Sequence, residues 1–212
     1  MSELLGKMSE LLIAGNIGEI RKVTQEALDW GVQAKDILEK GLLPGMDIVG
    51  QRFKACEMFI PEVIRSANTM HAAMDIISPL LSESDTGGIG TVVIGTVEGD
   101  LHDIGKNLVA MMLEGAGFKV VNLGTDVKPQ GFVEAAKKHS PDILGMSALL
   151  TTTMPKMSET IKALQEAGIR DRIKIMAGGA PVTQDFVEEI GGDAYGSNAA
   201  AAVEEAKAFV EK

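Results

Sequence analysis

A histidine between two aspartates is the feature of this sequence with the clearest chemical use. His102 follows Asp100 by two positions and directly precedes Asp103. An imidazole nitrogen commonly binds a metal ion, and a carboxylate that holds the other ring nitrogen fixes the orientation of the ring. The spacing therefore predicts a metal-ligating histidine supported by Asp100. A loop histidine beside capping acids is the alternative that involves no ligand.

The position of this histidine along the chain favours the metal interpretation. Residues 91–97 form an apolar run that predicts a buried strand, and residues 108–113 continue as a helix. His102 is thus predicted in the loop at the carboxyl end of a strand, where open α/β sheets bind their ligands.

A phosphate-binding loop is the competing interpretation of residues 99–107. Five residues separate Gly99 from Gly105, whereas a P-loop has four residues between its glycines. Asn107 stands where a P-loop has the serine or threonine that binds magnesium, and no G-x-G-x-x-G pattern opens the helix. The aspartates of the loop would also repel a phosphate, so the sequence disfavours this interpretation.

The elements that must position the histidine differ between the two halves of the chain. Residues 1–82 predict helices only, because apolar residues recur at helical spacing and no β-rich run occurs. Gly41 is predicted to end the third of these helices. We expect an all-α N-terminal helical bundle. Its first helix ends before Gly15, and the others are predicted at residues 17–30, 34–40, 43–53 and 61–81.

The second half alternates short β-rich runs with helical stretches. Such alternation is typical of right-handed βαβ units, so we expect an α/β Rossmann-like (flavodoxin-like) domain with a five-stranded parallel sheet. The sequence does not determine the order of the strands. Polar, glycine-rich residues 82–88 predict a linker, which gives domains at 1–88 and 89–212. The strands are predicted at residues 91–97, 119–123, 142–147, 173–177 and 193–195.

Three further loops follow predicted strands and carry small or hydroxyl-bearing residues. They are residues 147–153, 178–180 and 195–198. The carboxyl ends of parallel strands share one edge of a sheet, so these loops are expected beside the histidine loop. Small residues leave room between strand ends, and the four loops together predict a deep slot for a bulky ligand.

Composition excludes several classes of function. The formal net charge of −10 and the pI near 4.8 argue against nucleic-acid binding and against an anionic membrane surface. No apolar stretch approaches the ~18 residues of a membrane span, and no signal peptide is visible. The single cysteine, Cys56, excludes an internal disulfide and a multi-cysteine metal site. We expect a cytoplasmic protein without nucleic-acid or membrane partners.

The strand-end motifs, taken together, resemble the cobalamin-binding domain of corrinoid proteins. In chain order they are Asp100-x-His102-x-x-Gly105, Ser147-x-Leu149 and Gly178-Gly179. In the first half, Glu39 and residues 45–50 and 59–64 resemble the helical cap domain that precedes it in methyl-transfer proteins. The closest likeness is to the stand-alone corrinoid proteins of methanol, methylamine, betaine and methoxy-aryl methyltransferase systems. The same two modules occur in cobalamin-dependent methionine synthase.

This resemblance implies a cofactor and roles for individual residues. The cofactor is cobalamin or a related cobamide, as methylcob(III)amide or cob(I)amide, bound base-off/His-on. His102 would be the axial cobalt ligand, and Asp100 and Thr153 would form a hydrogen-bond relay to it, although the family has serine at the position of Thr153. Phe53 and Ile60 would cover the cobalt, with bundle core as their alternative role. The implied cofactor-binding residues are Gly99, Asp100, Leu101, His102, Asp103, Ile104, Gly105, Ser147, Leu149, Thr151, Thr153, Gly178, Gly179, Tyr195, Gly196, Ala199, Glu39, Phe53 and Ile60.

The implied function is that of a corrinoid methyl carrier, which is not an enzyme on its own. A substrate-specific methyltransferase would load the cofactor, and a second methyltransferase would pass the methyl group to a thiol or to tetrahydrofolate. A reductive activation protein is a further implied partner. The alternatives are a cobalamin-binding regulator or sensor without a DNA-binding domain, and the small subunit of a cobalamin-dependent mutase. The methyl donor and the oligomeric state stay open.

Overall fold

The computed structural model describes residues 2–81 and 88–210. It divides into two compact units, Met1–Gly88 with Gly115–Gly117, and Ile89–Glu114 with Phe118–Lys212. Most of the linker predicted at residues 82–88 lies outside the described residues. None of the helices in the described ranges is long and apolar enough to cross a membrane.

The first unit consists of helices. They are α1 (Ser2–Ile13), α2 (Ile17–Asp29), α3 (Ala34–Ile37), a π-helical turn (Leu38–Leu42), α4 (Leu43–Lys54), α5 (Ile60–Ile77) and a 3-10 turn (Ser78–Leu80). Residues at helical spacing meet in an aliphatic core, in which Met8, Leu12, Ile20 and Val63 are fully buried. The predicted bundle is confirmed.

Two helix ends in this unit differ from the prediction. Gly41 does not end a helix, because α3 continues through the π-helical turn into α4. Gly41 is buried there, and a Cβ on it would meet the Leu5 side chain at 3.4 Å, so close packing against α1 explains this glycine. Helix α5 ends at Ile77, four residues before the predicted end, because Pro79 has no N–H to donate within an α-helix, and the chain continues as the 3-10 turn.

The second unit contains a parallel five-stranded sheet with the strand order β2-β1-β3-β4-β5. This is the flavodoxin-like order, which the sequence had left open, and the predicted fold class is confirmed. The strands are β1 (Thr91–Thr96), β2 (Lys119–Asn122), β3 (Ile143–Ser147), β4 (Lys174–Gly178) and β5 (Ala194–Gly196). The helices are α6 (Ile104–Gly115), α7 (Pro129–His139), α8 (Pro155–Glu166), α9 (Gln184–Glu189) and α10 (Ala199–Val210).

The chain order changes direction at β1, which pairs with both β2 and β3. Open α/β sheets bind ligands at such a switch point, outside the carboxyl ends of the strands. Buried aliphatic residues of β3, such as Leu144, pack with residues of α7 and α8, such as Phe132 and Ile161. This packing makes the sheet edge a rigid base for the loops that follow β1 and β3.

Candidate functional site

The carboxyl edge of the sheet brings the predicted loops together. Thr96, Ser147, Gly178 and Gly196 are register partners in a row across β1, β3, β4 and β5. The histidine loop and the loops that begin at Ser147, Gly178 and Gly196 therefore leave the sheet side by side. Side chains along this row become smaller towards β5.

Asp100 is the centre of the hydrogen bonding in the histidine loop. Its side chain is 0% exposed, and its Oδ2 accepts hydrogen bonds from the Leu149 N–H at 2.7 Å and the Thr153 hydroxyl at 2.8 Å. Its Oδ1 accepts from the His102 N–H at 3.0 Å and lies 2.8 Å from the Nδ1 of the same ring. Burial raises the pKa of this carboxyl, but these hydrogen bonds outweigh burial and hold the pKa well below its ordinary value. Asp100 is therefore a carboxylate that only accepts.

His102 is held by one ring nitrogen and presents the other. Because the Asp100 carboxylate only accepts, the proton of a neutral ring lies on Nδ1 and leaves a lone pair on Nε2. The side chain is 52% exposed, and within the described part of the chain no hydrogen bond involves Nε2. The Thr96 hydroxyl donates to the His102 carbonyl at 3.0 Å and fixes the backbone as well. This is the tautomer of a metal ligand that binds through Nε2.

Exposed aliphatic side chains occur beside His102 in the sequence and on the loop that donates to Asp100. Leu101 is 73% exposed and Ile104 is 78% exposed, on either side of His102. Leu149 and Leu150, whose N–H groups donate to Asp100, are also exposed. Such exposed apolar side chains usually mark a binding surface. One nitrogen with a lone pair, beside exposed apolar residues, suits a large and mainly apolar ligand that contains a metal with one open coordination position.

Two kinds of glycine occur in the site. Gly179 has φ +133°, and a Cβ there would lie 1.8 Å from the Ala148 carbonyl oxygen, so close approach of the β3 and β4 loops requires it. Gly178 is similar, because its Cβ would lie 2.7 Å from the Gly196 oxygen. Gly105 differs, since nothing lies within 4 Å of its Cβ position in α6. Packing among the described residues does not explain Gly105, and its role in binding a ligand stays a prediction.

A second polar network adjoins the loop, and the sequence did not reveal it. Lys106 is buried, and its Nζ donates to Asn107 Oδ1 at 2.6 Å and to Asn122 Oδ1 at 2.7 Å. Since an ammonium group only donates, Asn107 turns its Nδ2 to Asp103 Oδ2, at 2.9 Å. Burial lowers the pKa of Lys106, and the charge of Asp103 opposes this. The network ties the residue after His102 to the end of β2.

The remaining predicted cofactor-binding residues of the second unit occupy varied positions. Thr151 is exposed in the loop after β3, and Thr153 is buried against Asp100. Tyr195 is partly buried against the core of the sheet domain, and Ala199 is buried at the start of α10. The contacts of Tyr195 and Ala199 are those of core residues, so their cofactor role stays a prediction.

The predicted residues of the helical unit lie in the π-helical turn, in α4 and in α5. Ile60 is 43% exposed at the start of α5, next to Phe59, which is 66% exposed. Phe53 is partly buried in α4. Glu39 is exposed, and its carboxylate lies 3.9 Å from Lys35 Nζ. Ile60 and Phe59 are thus accessible apolar side chains, and the cap role stays a prediction.

The donor set of the site suits a metal that arrives with most of its ligands. Within residues 2–81 and 88–210, no group of three or more His, Cys, Asp or Glu side chains is arranged to hold a metal ion. His102 offers one nitrogen, and both oxygens of Asp100 already accept hydrogen bonds, Oδ1 from His102 and Oδ2 from Leu149 and Thr153. A corrinoid supplies most of the ligands of its cobalt, so His102 would add one nitrogen and the exposed aliphatic side chains would contact the apolar ring. The residues present fit that group.

Comparisons with known proteins also indicate a corrinoid-binding protein. A family model described as "B12 binding domain" matches residues 90–204, and a second model of that description matches residues 4–78. The chain is 44% identical to trimethylamine corrinoid protein 1 of Methanosarcina acetivorans over 98% of this chain and 97% of that protein. The methanol:cobalamin methyltransferase complex MtaBC of Methanosarcina barkeri matches with 33% identity and a TM-score of 0.88, over 98% of this chain and 80% of that chain. A cobalamin-binding protein of Desulfitobacterium hafniense matches with 34% identity and a TM-score of 0.78, over 97% and 98%.

Proposed function

The chain belongs to the B12-binding corrinoid proteins, and we propose that it is a methyl carrier that holds a cobamide in the base-off/His-on form. One observation carries this proposal above the others. Asp100 fixes Nδ1 of His102, which leaves the Nε2 lone pair for a metal, and the neighbouring residues Leu101 and Ile104 have exposed aliphatic side chains. The bound corrinoid supplies a cobalt centre that accepts and donates a methyl group.

The residues around His102 have separate tasks in this proposal. Asp100 keeps the ring proton on Nδ1, and the hydroxyl of Thr153 and the N–H of Leu149 keep Asp100 ionised in a buried position. The exposed side chains of Leu101, Ile104 and Leu149 would provide an apolar surface for the corrin ring and would exclude water from the ligand nitrogen. The bound state is thereby set by groups that need not rearrange when the cofactor enters.

We assign the nucleotide tail to the slot that the sequence predicts between the loops at the strand ends. Ser147 and Thr151 offer hydroxyl groups beside it, and Gly178 and Gly179 let the backbones of two loops approach each other. Gly105 leaves open space at the first turn of α6. These residues would hold the tail away from the cobalt, so that His102 would be the protein ligand of the metal.

Methyltransferase partners complete the proposed function. The chain is a corrinoid subunit, and we assign loading to a substrate methyltransferase and unloading to a second one that acts on a thiol or on tetrahydrofolate. A relative named as a trimethylamine corrinoid protein is 44% identical, and one in a methanol methyltransferase complex is 33% identical. A methylated amine is therefore the first donor to test. The coverage of whole corrinoid proteins by this chain favours a carrier over a sensor or a mutase subunit.

The function is tested by methyl transfer in a reconstituted system. The purified chain is loaded with cobalamin, reduced, and incubated with trimethylamine, dimethylamine or methanol and the matching methyltransferase. We expect the absorption spectrum of methylated cobalamin with at least one pair, and methyl thioether after a thiol methyltransferase is added. Free cobalamin without the chain is the control. Absence of methylation with all three pairs would contradict the proposal.

Thr153 provides a test of the support beneath Asp100. Valine has the same shape but removes the hydroxyl that donates to Asp100 Oδ2. We expect Thr153→Val to lower the free energy of unfolding by about 1 kcal/mol. We expect cobalamin affinity to fall about fivefold, because roughly 1 kcal/mol corresponds to that ratio. Urea unfolding of the apoprotein and cobalamin titration measure these changes. Thr153→Ser retains the hydroxyl and should resemble the natural protein; equal behaviour of both variants would contradict the role.

A further inference from the structure

Asp126, in the loop after β2, makes a reciprocal pair of hydrogen bonds with the histidine loop. Its Oδ1 accepts from the Gly99 N–H at 2.7 Å, and its own N–H donates to the Asp100 carbonyl at 3.0 Å. The two bonds hold the backbone of Gly99 and of Asp100, and Asp100 is the residue that pairs with His102. A neighbouring bridge between Val97 and Val127 continues the same contact.

The backbone at this contact adopts a demanding conformation on both sides. Gly99 has φ +80° and Asp126 has φ +55°, which is in the left-handed region that residues other than glycine rarely adopt. Aspartate is among the few side chains that tolerate this region. A strained residue persists only where its surroundings determine it, and such residues concentrate at functional sites. The two bonds to the histidine loop are what determine it here.

The contact matters because the two carboxylate oxygens of Asp100 bind different partners, and both sets of hydrogen bonds require the same position of the residue. Its Oδ2 points to the Leu149 N–H and the Thr153 hydroxyl, and its Oδ1 points to His102. Both sets of bonds depend on where the backbone of residues 99 and 100 lies. The loop after β3 holds the side chain of Asp100, whereas Asp126 holds its backbone from the opposite side, next to edge strand β2.

We propose that Asp126 is a positioning residue that aims the Asp100–His102 pair at the bound corrinoid. This inference rests on the proposed function, since it assumes that His102 is the axial ligand. Asp126 acts through Gly99 and Asp100 and does not itself touch the cofactor. Loss of the Asp126 carboxylate leaves the side chains of Asp100 and His102 chemically unchanged, but it allows the backbone that carries them to move.

The chain offers a matched control at the opposite edge of the sheet. Asp142 Oδ2 accepts from the Thr91 N–H at 2.8 Å, and the Asp142 N–H donates to the Thr91 carbonyl at 2.9 Å. This is the same reciprocal arrangement, but it lies where β1 begins. Asp142→Gly therefore removes an equivalent bond far along the strand from His102.

The experiment compares Asp126→Gly, Asp126→Asn and Asp142→Gly. Glycine removes the carboxylate without backbone strain, whereas asparagine retains an oxygen acceptor and tolerates left-handed backbone. Hydrogen exchange of the Gly99 amide is measured in the apoproteins. Cobalamin affinity and the electron paramagnetic resonance spectrum of the Co(II) form, with ¹⁵N-labelled protein, are measured after loading.

We expect Asp126→Gly to exchange the Gly99 amide at least tenfold faster, to bind cobalamin about tenfold more weakly and to give a mixed axial-ligand spectrum. Asp126→Asn should restore most of each value, and Asp142→Gly should retain the spectrum of the natural protein. An Asp126→Gly protein with unchanged affinity and ligation would overturn the inference, as would an equal loss in Asp142→Gly. If the natural protein itself shows no protein nitrogen on cobalt, the proposed function fails instead.

Discussion

Replacement of Asp100 by alanine is expected to remove axial ligation by His102 and to lower the free energy of unfolding of the apoprotein by about 3 kcal/mol. The side chain is fully buried, so its loss leaves the Leu149 N–H and the His102 N–H without their acceptor, whereas the Thr153 hydroxyl still has the Leu150 carbonyl at 2.9 Å. Each unsatisfied buried group costs about 1–3 kcal/mol, and relaxation of the loop towards water recovers part of this. The ring of His102 also loses the bond that orients it.

Asp100→Asn separates the chemical role of the carboxylate from its volume. An amide has one oxygen, and if this stays with Leu149 and Thr153, the NH₂ group faces His102. Nδ1 must then accept, which moves the ring proton to Nε2 and blocks ligation. We expect a smaller loss of stability than in the alanine variant but a 10–100-fold loss of cobalamin affinity. Urea unfolding and cobalamin titration measure the two effects, and an asparagine variant with natural affinity would contradict the tautomer argument.

Gly179→Ala is expected to have the second large effect, a loss of at least about 3 kcal/mol in the free energy of unfolding. The new Cβ would lie 1.8 Å from the Ala148 oxygen, and the φ of +133° is unfavourable for alanine. The atom it meets belongs to the backbone, so the loops after β3 and β4 have to separate. The Leu149 N–H that donates to Asp100 follows Ala148 directly, and cobalamin binding should therefore be lost as well.

Gly105→Ala is the matched control for this substitution. Nothing lies within 4 Å of its Cβ position, and alanine favours a helix over glycine, so the apoprotein should gain about 0.5 kcal/mol. Its cobalamin affinity should nevertheless fall, because the methyl group enters the space assigned to the ligand. Thermal unfolding of both apoproteins and cobalamin titration decide this. Equal destabilisation of the two variants, or unchanged affinity in Gly105→Ala, would contradict the distinction between the two glycines.

The sequence predicted the parts of this molecule that depend on local patterns. Asp100 and His102 are two positions apart in one loop, so their pairing follows from short-range geometry, and the structure contains that hydrogen bond. The fold class followed from periodicity, because buried strands and amphipathic helices differ in spacing. The cofactor roles of individual residues were implied by the resemblance, and the variants of Asp100, Gly105 and Thr153 test those roles.

Contacts between distant loops could not be predicted in the same way. The resemblance implied a relay between Thr153 and Asp100, but no local pattern brings these residues together, because their bond depends on the register that places Thr96 beside Ser147. Asp126 reaches Gly99 only because both residues adopt left-handed backbone, which no local pattern indicated. The burial of Lys106 depends on the amide oxygens of Asn107 and Asn122, and no local pattern indicated that Asn122 on β2 lies beside it. Gly41 was misleading because a glycine for close packing resembles a glycine that ends a helix.

The most direct test of the account is the identity of the nitrogen bound to cobalt. The protein is prepared once at natural abundance and once fully labelled with ¹⁵N, each is loaded with unlabelled cobalamin and reduced to Co(II), and the electron paramagnetic resonance spectra are compared. An axial ¹⁴N splits each cobalt line into a triplet, and an axial ¹⁵N splits it into a doublet. We predict triplets for the unlabelled protein, doublets for the labelled protein, and no such protein-derived splitting in His102→Ala. Triplets that persist in the labelled protein, or doublets that persist in labelled His102→Ala, would contradict ligation by His102.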